Sequence, residues 1–145
     1  MPRSVVTDPS APKPVGPYSH AASGAGELLY LSGQTPIDPA TGALTDGGIE
    51  VQTERVFANL ASVLAAANRG FEDVVKVNVY LIDMTDFAAM NSVYARVFSP
   101  PYPARTTVAV AGLPLGARVE IELVAVGNSG VQIASVQQAT ERFRR

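Results

Sequence analysis

Arg105 is the sharpest candidate for chemistry in this sequence and Glu120 the next, with Glu122 a second acid two residues on. A guanidinium presents a planar fork of donors that matches a carboxylate, and each charge-assisted contact contributes roughly 1.5–3 kcal/mol. A glutamate whose setting raises its proton affinity acts as a general base on water, an effect worth ~10²–10⁴-fold in rate. The competing reading is an ion pair between Arg105 and either acid, or acids on a solvated strand face. Other residues that could serve a site are spread along the chain. Tyr18, after Gly16-Pro17, can donate a hydrogen bond, wall a pocket or simply pack. His20 is the lone histidine and has no partner nearby in sequence. Ser32-Gly33 ends a strand on a glycine, which either opens a backbone N–H to a ligand or permits a bend. Asn91 is polar within an apolar helical stripe and needs a partner if buried. Thr107, two residues past Arg105, falls on the same strand face.

These residues need elements to hold them. Tyr102 to Val126 contains two apolar segments, Thr106 to Ala111 and Arg118 to Val126, joined through Gly112, Pro114 and Gly116. That pattern predicts a β-hairpin with an irregular loop, which would set Arg105 close to the two acids. In the second segment Val119, Ile121, Leu123 and Ala125 share one face, while Arg118, Glu120, Glu122, Val124 and Val126 share the other. The register is left open, and a slip of one residue would turn the glutamates away. Upstream, Glu27 to Ser32 predicts a buried strand, and Pro36 to Gly42 a surface loop. Val56, Phe57, Leu60, Val63, Leu64 and Ala67 recur at helical spacing, predicting a helix over about Ile49 to Asn68 with Gly70 as its glycine cap. Val74 to Leu81 alternates, with Val75, Val77, Val79 and Leu81 on one face, as in a half-buried strand. Thr85 or Asp86 can cap a second helix whose stripe is Phe87, Met90, Asn91, Tyr94, Val97 and Phe98, stopped by Pro100-Pro101.

Met1 to Pro17, with prolines at 2, 9, 12, 14 and 17, should be extended and largely without regular structure. The expected architecture is α/β, one mixed sheet with both helices on one face and the other face covered by a second copy of the chain. Residues 1–126 form the expected domain and 127–145 an extension in which Ile133, Val136, Thr140 and Phe143 allow a short or frayed helix.

Composition narrows the chemistry. A chain of 145 residues, 47% of them hydrophobic, suits one domain with a real core. With a net charge of -2 and acids and bases mixed along the chain, nothing marks it for nucleic acid or an anionic membrane. The absence of cysteine removes thiol nucleophiles and thiolate metal sites, and a single histidine disfavours a zinc centre. No phosphate loop or dinucleotide fingerprint calls for a cofactor. Without an apolar run for a signal peptide or membrane span, the expected location is the cytoplasm.

The motifs GPYSHA (Gly16 to Ala21), LYLSGQ (Leu29 to Gln34), DFAAMNSVYARVF (Asp86 to Phe98), and YPARTTVAV followed by GARVEIELVAV occur in this order. Together they resemble the RidA (YjgF/YER057c/UK114) family over about Val15 to Val126. The resemblance implies a chorismate-mutase-like fold, a homotrimer with three clefts between subunits, and cofactor-free hydrolysis of reactive enamines and imines such as 2-aminoacrylate and 2-iminopropionate. It implies that Arg105 binds the substrate carboxylate, that Glu120 positions or activates water, and that Tyr18, Gly33 and Asn91 line the cleft. Ser32, Phe87 and Thr107 are assigned to the same cleft. Thr107 stands where many members have cysteine and His20 replaces a common glutamine, while the tail is longer than usual. Other readings are a sensor that binds a 2-oxo acid or amino acid without turnover, an RNA-cleaving protein, and a chorismate-type isomerase; the charge balance disfavours the second and the shortage of well-placed cations the third.

Overall fold

The computed structural model describes residues 3–127. Four strands, β3 (Leu29–Gln34), β4 (Val74–Leu81), β5 (Ala104–Ala109) and β6 (Val119–Ala125), form one sheet in the order β3-β6-β4-β5. The strand β6 runs antiparallel to both neighbours, and β5 runs parallel to β4. Helices α1 (Ile49–Ala66) and α2 (Phe87–Val97) supply the partners of its apolar face. From the sheet come Leu31, Val77, Val79, Leu81, Val119, Ile121 and Leu123, and from the helices Val56, Phe57, Leu60, Leu64, Met90, Val93 and Tyr94, all buried. Alternation drives this: in the central strands β4 and β6 every second side chain is apolar and has a helix to pack against. No helix among the described residues is long and apolar enough to cross a membrane.

The mixed sheet with two helices on one face is as expected, but the C-terminal hairpin is not. The strands β5 and β6 follow each other in sequence without pairing, because β4 lies between them. Two further strand readings shift. The strand β3 is an edge in which Leu31 is buried but Tyr30 is 71% exposed, so it is half-buried at most. In β4 a register irregularity between Val74 and Lys76 puts Val74, not Val75, into the core.

The helix ends also differ from expectation. The left-handed residue after α1 is Asn68 (φ 55), and its N–H and that of Arg69 close on the carbonyls of Ala65 and Leu64 at 3.0 and 2.9 Å. Asparagine tolerates this conformation, so the double closure needs no glycine. Gly70 instead opens a 3-10 turn, Phe71–Asp73. Before α2, Asp83 accepts from the Thr85 N–H, while Asp86 is committed to Arg118 at 2.7 Å and caps nothing.

The N-terminal segment is more ordered than its prolines suggest. Here β1 (Ser4–Val6) pairs antiparallel with β2 (Ala21–Ser23). Arg3, 8% exposed, donates to the carbonyls of Pro101, Phe71, Glu72, Val74 and Ser99, tying together the connections that lead into β4 and β5. Apart from Gly127, the expected C-terminal extension lies outside the described residues.

The face of the sheet away from the helices carries Tyr30, Lys76, Asn78, Tyr80, Thr106, Val108, Glu120, Glu122 and Val124, as their pairing registers require. Glu122 accepts from the Tyr80 hydroxyl and from Asn78 Nδ2, and Lys76 donates to Thr106 Oγ1 at 2.9 Å.

Candidate functional site

Pairing decides where the candidate residues point. Arg105 lies beside Val77 on β4, and Val77 is a core residue, so the guanidinium emerges on the helix side at the β5 edge. There it meets α2. Arg105 Nη1 donates to Asn91 Oδ1 at 2.6 Å. Its Cζ lies 4.7 Å from the ring centre of Tyr94, 5.4 Å from that of Tyr18 and 5.6 Å from that of Phe87. Three aromatic faces stabilise a cation without neutralising it, each contributing about 0.5–2 kcal/mol. Burial pulls the guanidinium's proton affinity down, with Tyr94 and Tyr18 opposing, and it stays charged at any ordinary pH. Among the described residues no carboxylate pairs with it. The expected closeness to two acids is therefore absent, and the remaining donors of the fork are free for an anionic ligand.

The segment before β2 covers this group. Tyr18 is set by an N–H bond to the Gly16 carbonyl at 2.8 Å, and Ser19 binds the carbonyls of Pro103 and Tyr102 at 3.1 and 2.6 Å, just upstream of Arg105. A Cβ on Gly16 would stand 3.2 Å from Arg105 Nη2, so a larger residue there would have to push the guanidinium aside by a few tenths of an ångström. Thr107, paired with Val79, shares the face of Arg105, and its buried hydroxyl has no hydrogen-bond partner.

Glu120 belongs to a different place. It pairs with Tyr80, on the face away from the helices, and β6 is separated from β5 by β4. Its carboxylate rests on Gly33, where a Cβ would come within 2.8 Å of Oε1. Ser32 and Gly33 sit in the irregularity between Leu31 and Gln34 and are exposed, so their backbone faces outward beside the acid. The structure thus forms two half-sites. Arg105, Asn91, Tyr18, Phe87 and Thr107 make one, and Glu120, Gly33 and Ser32 the other.

Glu122, the third charged candidate, is held by Tyr80 and Asn78, and that bond raises the proton affinity of the Tyr80 hydroxyl. His20 contacts neither charged group; it bonds to Asp8 and Pro12. Among the described residues no group of three or more metal-ligating side chains is disposed around a cation. Two site residues escaped the sequence reading, Gly16 and Tyr94. Tyr94 had a signal, since it lies three residues after Asn91 and therefore on the same helix face.

Residues 8–127 match the family described as Endoribonuclease L-PSP. A RutC family protein of Pyrococcus horikoshii is 48% identical over 123 residues, covering 85% of this chain and 97% of its own. A protein of Capra hircus named 2-iminobutanoate/2-iminopropanoate deaminase is 42% identical over 124 residues, 86% of this chain and 90% of its own. The crystal structure of RidA from an Antarctic Psychrobacter superposes with a TM-score of 0.68 at 43% identity, covering 86% of this chain and 99% of that one. The motifs, the sheet with its two helices, and these matches agree, and the chain belongs to the Endoribonuclease L-PSP family, which is the YjgF/RidA family.

Proposed function

We propose that this chain hydrolyses 2-imino acids and their enamine tautomers, of the 2-iminopropionate type, to 2-oxo acids and ammonia, as a cytoplasmic homotrimer with its clefts between subunits. The observation that carries this reading is the Arg105 cage: a half-buried, unpaired guanidinium with aromatic walls and one neutral hydrogen-bond partner. Such a site selects a small carboxylate with a modest apolar side chain. The deaminase names of relatives at about 42% identity support the same choice.

The chemistry asks little of the protein. The substrate carboxylate docks on Arg105, Phe87 and Tyr18 wall its side chain, and the backbone at Ser32-Gly33 and the Thr107 hydroxyl take polar atoms of the substrate. Water attacks the iminium carbon and gives a proton to Glu120. The resulting carbinolamine takes that proton back on nitrogen, and ammonia leaves as the carbinolamine hydroxyl gives its own proton to Glu120 and the carbonyl forms. No cofactor or metal enters this scheme.

Where the two charges lie supports a cleft shared between copies of the chain. Arg105 and Glu120 open on opposite faces of the sheet, two strand spacings apart, which is about 10 Å. A three-carbon substrate cannot touch both in one chain. Docking the Arg105 edge of one copy against the Glu120 face of the next brings them together, and the polar face without helices is then covered.

The test is suppression of trapping when 2-iminopropionate is generated from alanine by an amino-acid oxidase beside a trapping amine. Wild type should suppress the trapped product and Arg105→Ala should not. A wild type that leaves several imines untouched yet binds 2-oxo acids through Arg105 would replace hydrolysis with sensing. The net charge of -2 disfavours RNA as substrate, and salt-dependent RNA binding would reopen that reading.

A further inference from the structure

Each half-site has an apolar side chain beside it that no other part of the chain covers. Among the described residues the most exposed large apolar side chains are Val15, at 84%, and Tyr30, at 71%. Isolated apolar residues on a surface are ordinary, so exposure alone decides nothing. Their positions do. Val15 precedes Gly16, whose backbone approaches Arg105 Nη2, and its N–H donates to the Tyr18 hydroxyl at 3.3 Å, which ties it to the ring over the guanidinium. The segment that carries it is bridged to β5 through Ser19 and Ala104. Tyr30 stands two residues before Ser32 on β3, paired with Val124, and so lies on the face that carries Glu120. Strands β3 and β5 are the two edges of the sheet, three strand spacings or about 14 Å apart. Within one chain the two side chains cannot meet.

We propose that Tyr30 of one copy packs against Val15 of the next, and that this contact anchors the Glu120 half-site of the first copy over the Arg105 half-site of the second. The inference rests on the shared-cleft reading above and names the residues that join the two halves. Charge favours the same docking, since Arg105 has no carboxylate partner among the described residues and the face that approaches it offers Glu120. Tyrosine suits the anchor, because its ring brings apolar area with few rotamers to lose and its hydroxyl can remain on water at the rim. Valine suits the receiving side. Its branched side chain is stiff, and the prolines at 12, 14 and 17 hold the segment that presents it. The contact joins two different patches on opposite edges, so each copy gives one and receives one, as a closed ring requires.

Photo-crosslinking from position 30 tests the contact. In the full-length chain with Tyr30 replaced by p-benzoylphenylalanine, which keeps an aromatic ring there, irradiation should give covalent species of two and three chains. The adduct should lie on Val15 or a residue beside it. Tyr30→Ser and Val15→Ser, both at exposed positions, should keep the far-ultraviolet spectrum of wild type and run as single chains at a concentration where wild type is assembled. Their suppression of imine trapping should fall about tenfold or more. Inter-chain adducts that map away from Val15, or a Tyr30→Ser protein that stays assembled and active, overturn the contact and leave the shared cleft standing. A Tyr30→Ser protein that is a single chain and hydrolyses the imine at the wild-type rate overturns the shared cleft and this inference together. The cross-link is read without substrate, so a wild type that hydrolyses no imine removes the proposed reaction while the adduct on Val15 still decides the contact.

Discussion

The two half-sites differ in how they are built. Around Arg105, three parts of the chain converge: β5 carries the guanidinium, α2 supplies Asn91, Tyr94 and Phe87, and the segment before β2 adds Tyr18. Glu120 rests on the bare backbone of Gly33 on an irregular edge strand and lies beside Tyr80 on the open face of the sheet. The difference fits the tasks proposed for the two groups. A group that must hold an anion in one orientation gains from a rigid, partly dehydrated setting, whereas a group that exchanges protons with water must remain open to it.

The contrast gives measurable asymmetries. Removing the guanidinium in Arg105→Ala should lower kcat/KM by roughly 10²–10⁴-fold, the worth of two charge-assisted contacts, with Arg105→Lys recovering little because a point charge cannot replace the fork. An Arg105→Lys variant with wild-type kcat/KM would dissolve the idea of a fitted anion site. Glu120→Gln should act on kcat, by ~10² or more, and leave pyruvate affinity unchanged. Mixing the inactive Arg105→Ala and Glu120→Gln chains and reassembling them should recover roughly a quarter of wild-type activity, since that share of randomly formed interfaces joins two intact halves. Recovery of nothing would mean that both groups act within one chain. The glycines should separate the halves more gently. Gly33→Ala pushes the Glu120 carboxylate aside and should cost roughly tenfold in kcat, and Gly16→Ala presses on Arg105 Nη2 and should appear in KM instead. Smallest of all, Tyr94→Phe keeps the ring under Arg105 and deletes a buried hydroxyl that has no partner, so stability in urea should change by less than about 1 kcal/mol or rise.

Much of this was readable from local pattern. The alternation of Val74 to Leu81 and the helical spacing from Ile49 and from Phe87 mark elements whose buried faces are set within a few residues. The partner of β5 was not readable in the same way. A short Gly- and Pro-containing connection between two apolar segments looks like a hairpin, yet β5 pairs parallel to β4 through α2, and only the whole sheet decides between the two. That error carried the site with it, because a hairpin would have placed Arg105 and the acids together. The cap on α1 was misplaced for a smaller reason, since Asn68 takes the left-handed position two residues before the glycine. His20 had no visible partner because Asp8 and Pro12 reach it only when the segment before β2 folds back.

The strand order has a further consequence, for synthesis on the ribosome. Among the described residues β6 is the last strand made, occupies an interior position and is the only strand hydrogen-bonded to both β3 and β4. Until Val119–Ala125 leaves the exit tunnel, the nascent chain holds an unpaired β3 and one bare edge of β4, the kind of edge that recruits other chains. Completion of the sheet is thus a late, single event. Chains released before Ala125 should be found in aggregates or in the hands of chaperones, and not as partly folded subunits.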